Sequence, residues 1–242
     1  MSEPTARFQM PELIEKGKNN TLTLEVWLDG VIIAHLLTMG SVSIYDNAGK
    51  TIVSGGIAGT PTGLSFDVPA AALEPHDYNQ GWVVEWSCII PGHGEYIFRN
   101  EAALVRRKLY PVVTDQDLFR RASSLDPNGP NPITTQTNFQ DYLDEAWVTI
   151  QLRLWSAGNR PNLIMSPSSM RDCHLFLTLN LIFTDLSTRL NEAYQDIADR
   201  YQEQFEAAWT NTRFIFDVEE DGTPPDESRK GASSVFWLNG RR

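Results

Sequence analysis

Asp217, Glu219, Asp221 and Gly222 stand at the first, third, fifth and sixth positions of an EF-hand calcium loop. Alternating oxygen ligands followed by a glycine turn suit a hard cation. The closing bidentate Glu is missing, however. Ser228 stands in its place, Glu227 lies one residue early, and Pro224 and Pro225 interrupt the run. This pattern predicts an acidic turn with Gly222 at its tip, and leaves calcium binding over 217–228 as an open second reading.

Other chemistry is sparse. His35, His76, His93 and His174 are far apart, and none pairs with Cys or another His at metal-ligand spacing. Each reads as a turn or core histidine. Gly55-Gly56-Ile57-Ala58-Gly59 lacks the spacing of a dinucleotide loop and opens no helix. There is no complete G-x-x-x-x-G-K-[ST] phosphate loop, since Gly49-Lys50-Thr51 has Ile44 in place of the leading glycine, and no G-x-S-x-G elbow. The acidic pairs Asp196 with Asp199 and Glu203 with Glu206, with Arg189 and Arg200 nearby, read as solvated helix faces. The expectation is therefore no catalytic residue, no metal and no cofactor.

Composition sets the frame. The net charge of −11 repels phosphate, which argues against tight sequence-specific DNA binding. Two cysteines, Cys88 and Cys173, are too few for a disulfide framework in 242 residues, so both are expected as buried thiols in a chain made in a reducing cytoplasm. The N-terminus does not read as a signal peptide. The most apolar run, Leu175–Phe183, is shorter than the ~20 residues of a membrane span.

These residues must be positioned by two kinds of element. Residues 21–109 alternate polar and apolar side chains: Leu22, Leu24, Val26 and Leu28 share one face, and Asp29-Gly30 marks a type I′ hairpin leading into 31–38. Further strands are expected at 42–45, 51–53, 64–68, 82–90, 95–99 and 102–109, with a Gly-rich loop at 54–63. Tyr78, Trp82, Trp86 and Tyr96 could offer a stacking platform for a sugar, although alternation puts most of them in the core. From 111 the period changes to helical. Thr114 reads as an N-cap, 126–132 as a linker, and Phe139, Tyr142, Leu143, Ala146, Trp147, Ile150 and Leu154 as one apolar stripe ended by Gly158. Ser166-Pro167 opens a helical stretch running to Thr210, unbroken or broken near Ser187, whose second half carries Tyr194, Tyr201, Phe205 and Trp209 on one stripe.

The expected fold is α+β: an immunoglobulin-like antiparallel β-sandwich over 1–112, then an α-helical bundle over 113–242 with a C-terminal β-hairpin or extended arm. The arm ends in Val235, Phe236, Trp237 and Leu238, followed by Arg241 and Arg242. Such a tail either folds back on its own domain or docks on a neighbour, the apolar residues filling pockets and the arginines meeting acidic rim groups.

The segments DYLDEAWVTIQLRLW, LFLTLNLIFTDLSTRLNEAYQDIADRYQEQFEAAW and RFIFDVEEDG, followed by the extended tail, resemble the head–tail connector (adaptor or neck) proteins of tailed bacteriophages. The likeness covers somewhat under half the chain, and the β domain is an addition to the family's minimal form. The resemblance implies a virion structural protein rather than an enzyme. It implies a homo-oligomeric ring, possibly a dodecamer, between portal and tail proteins. DNA would pass through its channel without sequence-specific binding, and no membrane would be involved. On that reading 235–242 is the partner-docking arm, and Tyr194, Tyr201, Phe205 and Trp209 form the subunit interface. The alternative is another tail, neck or baseplate protein whose β domain binds capsid or carbohydrate.

Overall fold

The computed structural model describes residues 3–8, 10–33, 40–60, 63–90 and 92–222. The chain is mixed, with β-sheets first and helices after them, and divides into two compact units, 1–108 and 109–242. The expected boundary lay four residues later.

The first unit contains β1 (Thr5–Arg7), β2 (Glu12–Glu15), β3 (Asn20–Leu28), β4 (Val31–Ile32), β5 (Gly40–Tyr45), β6 (Thr51–Gly56), β7 (Ala58–Thr60), β8 (Gly63–Val68), β9 (Asn79–Ile90) and β10 (Gly94–Val105). One sheet runs β1-β3-β8-β7 with β4 also on β3, and the other runs β2-β10-β9-β5-β6. All pairs are antiparallel except β2 with β10. Alternation dictates this arrangement. Leu22, Leu24 and Val26 of one sheet and Val42, Ile44, Trp82, Val84, Trp86 and Cys88 of the other are buried in one shared cluster.

Asp29 (φ 52°) and Gly30 (φ 78°) take the left-handed geometry that the hairpin needs. Most of the strand expected beyond this turn, with His35, lies outside the described residues. The Gly-rich loop expected at 54–63 is corrected. Gly55 and Gly56 continue β6, and the chain crosses at Ile57 into β7 of the other sheet. A Cβ on Gly55 would meet the Phe66 ring at 2.8 Å, so glycine permits the close approach there. The strands expected at 95–99 and 102–109 are one strand, β10, with a register shift between Ala102 and Ala103. A short helix, α1 (Ala70–Leu73), buries Leu73.

The second unit contains α2 (Asp115–Arg121), α3 (Gln140–Ser156), α4 (Arg171–Arg189) and α5 (Gln195–Asn211). Thr114 begins α2 as expected: its backbone N–H and hydroxyl both donate to the Asp117 carboxylate, at 3.0 and 3.1 Å. Asn138 accepts the Gln140 N–H at the start of α3, and Gly158 ends that helix at φ 78°. Of the two readings of the long helical stretch, the broken one holds, with the break at Leu190–Asn191, three residues beyond Ser187, and the Asn191 side chain accepts from Ala193 to start the next turn. α4 packs on both α3 and α5, which is why it buries Cys173, Leu177, Leu179, Ile182 and Phe183 around much of its circumference. After α5 the chain returns in extended form, and Phe216 pairs antiparallel with Ile164.

Candidate functional site

The acidic turn is built from Asp217 outward. Its backbone N–H donates to the Leu163 carbonyl at 2.7 Å, anchoring it beside the Ile164–Phe216 bridge. Its carboxylate, only 8% exposed as a residue, accepts the backbone N–H groups of Asp221 (3.1 Å) and Gly222 (2.8 Å). Glu220 and Gly222 adopt positive φ to bring those groups round. The oxygens that would lead a calcium loop thus cap their own turn. Residues 223–228 lie outside the described residues. Among the described residues no group of three or more His, Cys, Asp or Glu could hold a metal ion.

The aromatic stripe expected as a subunit interface meets the chain's own helices. Tyr201 stacks on Phe183 (5.6 Å) and Phe176 (6.4 Å), and Tyr194 lies 6.2 Å from Phe183. Trp209 is half-buried against Phe205 (6.0 Å) and Phe214 (5.7 Å). The expectation is corrected for Phe205, which is 3% exposed: its ring fills the core among α3, α4 and α5. Helical spacing revealed the stripe but not which surface it would cover. Tyr194, Tyr201 and Trp209 keep partly exposed edges. Val235, Phe236, Trp237, Leu238, Arg241 and Arg242 lie outside the described residues.

A sugar platform on the β unit is also corrected. Trp82 and Trp86 are 1% and 2% exposed, because the strand period turns them into the shared core. Tyr78 remains at the surface, with the Lys16 ammonium 5.5 Å from its ring centroid. The outer face of β9 and β10 instead presents Ile89 and Ile97, which sequence reading did not single out.

Among the grooves open to solvent, one of about 710 Å³ lies along β1 and is lined by Glu3, Thr5, Arg7, Phe8, Trp27 and Asp29. Another, of about 520 Å³, lies between the start of α4 and the end of α5, with Ser168, Arg171, Asp172 and Gln204 in its wall. Arg171 there is paired with Asp117 at 2.7 Å.

Both thiols are buried and free, as expected. Burial pushes the Cys88 thiol up to about 11, and burial chiefly raises Cys173 as well, so neither is a nucleophile near neutrality. His174 is fully buried on α4. Its Nε2 lies 2.9 Å from the Leu143 carbonyl and its ring 5.0 Å from that of Trp147; burial holds its basicity below the ordinary imidazole value.

No protein-family model matches the chain, and no curated protein matches it. Among solved structures, the chain is similar to CopC from Methylosinus trichosporium OB3b at 19% identity, over 42% of this chain and 90% of that one, with a TM-score of 0.30.

Proposed function

We propose that this chain is a structural subunit of a tailed-phage particle that forms an oligomeric ring at the head–tail junction, between portal and tail. On this reading the first unit is an immunoglobulin-like sandwich, and the second a helical bundle from which residues 235–242 reach a partner. The supporting observation is the last described stretch of the helical unit. After α5 the chain returns along Ile164, turns at Asp217–Gly222, and exposes Ile215 (44%) and Val218 (67%). Exposed apolar residues here, with Phe236, Trp237 and Leu238 further along the sequence, suit a segment completed by a neighbour.

With Phe205 internal, contacts between copies fall to the partly exposed edges of Tyr194, Tyr201 and Trp209 and to exposed Leu152 and Leu190. A net charge of −11 suits a channel through which DNA slides without sticking. The alternative of a carbohydrate-binding β domain loses Trp82 and Trp86 to the core; a capsid-binding one keeps the Ile89 and Ile97 face.

Antibody labelling of purified particles tests the location. Label confined to the head–tail junction is expected. A particle that carries none of this chain, or carries it only at fibre tips, contradicts the proposal.

A further inference from the structure

We propose that His174 is an acid-sensitive latch that holds α4 against α3. The imidazole is completely buried, and its Nε2 lies 2.9 Å from the Leu143 carbonyl oxygen on α3. A carbonyl only accepts, so Nε2 carries the proton and the closed joint holds the neutral Nε2–H tautomer. Nδ1 has no hydrogen-bond partner among the described residues. A proton added there would create both a buried charge and a donor with nothing to receive it, and each is costly.

The surroundings do little to offset that cost. From α3, Asp144 favours the charged ring, but burial outweighs it. Leu143 and Trp147, the ring's other contacts on α3, are uncharged. α2 and α5 also pack on α4. On α2, Asp117 pairs with Arg171, and Arg121 bonds Gln204 and lies over the Phe176 ring. On α5, Glu206 pairs with Arg153. On α4 itself, Arg171 also reaches Asp172, and Asp185 pairs with Arg189. Of the charged groups on these elements, Asp144 is the one that acts on the ring.

The closed joint therefore excludes a proton that an opened joint takes up below about pH 6.5. Below that value the opening equilibrium rises toward tenfold per pH unit, until the closed ring itself takes up a proton. Opening would separate Leu143 and Trp147 from α4. Among the described residues, the buried core cluster of the β unit contains no histidine.

Hydrogen exchange read by mass spectrometry on the full chain tests this, comparing wild type with His174→Gln, whose amide can keep the bond to Leu143. Between pH 6.5 and 5.5, wild-type peptides over 140–156 and 171–189 are expected to lose about fivefold protection relative to the variant. Peptides over 79–105 should behave alike in both chains. Equal pH dependence of the helical peptides in the two chains overturns the proposal. If the variant does not fold, side-chain nitrogen spectra of the wild type decide. A closed state still holding the Nε2–H tautomer at pH 5.5 supports the latch; an imidazolium with α3 and α4 fully protected overturns it.

Discussion

The Arg153 guanidinium lies 4.5 Å from the centroid of the Trp209 ring, and its two terminal nitrogens donate to the two oxygens of Glu206 at 2.8 and 2.7 Å. A cation–π contact and a bidentate fork on one side chain tie α3 to α5. The Arg153 and Glu206 side chains are 35% and 47% exposed, so the ion pair itself contributes little, and the cation–π contact and covered apolar surface dominate.

Arg153→Ala should therefore lower the stability of the helical unit by about 1–2 kcal/mol. Arg153→Lys should recover less than half of that, because an ammonium lacks the planar fork. Urea unfolding followed by far-ultraviolet circular dichroism measures both. Full recovery by lysine would show that charge alone matters.

Gly55 offers a contrast between adjacent residues. Gly55→Val should cost about 1–3 kcal/mol, because its Cβ would meet the Phe66 ring at 2.8 Å. Gly56→Val has nothing within 4 Å of its Cβ and should change stability by less than about 0.5 kcal/mol. Thermal unfolding of the two variants side by side reads the difference, and equal effects would contradict the packing described for β6.

That glycine also shows where sequence reading fails. Gly-Gly followed by Ala-Gly-Thr reads as a loop from local preference, yet the need for Phe66 to approach the backbone makes it strand. The strands read separately at 95–99 and 102–109 are likewise one continuous strand, β10, in which Asn100 shares the inner face with Tyr96 and Phe98 and donates to the Met10 carbonyl, while Glu101 faces outward. β1 and β2 escaped notice because three or four residues carry too little alternation, and β2 forms by a parallel pairing with distant β10. Signals that act within a few residues were legible, among them the Thr114 start, the Asp29-Gly30 turn, the α3 stripe and the Gly158 end. For the candidate site, spacing identified the acidic turn and the aromatic stripe. It could not reveal that Asp217 faces its own backbone N–H groups or that Phe205 faces inward, since both depend on tertiary packing.

Asp185 should make stability depend on pH in acid. The Tyr142 hydroxyl donates to its carboxylate at 2.8 Å and, with Arg189 at 2.9 Å, holds its pKa below the usual carboxylate range. A depressed carboxylate contributes stability that is present above the unfolded value of about 4 and is lost as pH falls through the lower folded value. Asp185→Asn should thus be less stable than wild type at pH 7, with the difference shrinking below pH 4. A difference that stays constant with pH would refute this role.

Calcium should leave the chain unchanged. With the Asp217 oxygens bonded to the N–H groups of Asp221 and Gly222, calorimetric titration to millimolar calcium should give no binding heat and no rise in melting temperature. Saturable heat that Asp217→Asn abolishes would restore the cation reading.

On the proposed function, the chain assembles through surfaces that it does not cover itself. The most direct measurement is the mass of the complex formed by the 242-residue chain with the portal of the proposed particle, beside the same experiment on a chain lacking residues 235–242. The account predicts a closed ring of many copies on the portal for the full chain and loss of that ring on truncation. A chain that stays monomeric with the portal, or a truncated chain that assembles as well as the full one, would contradict it.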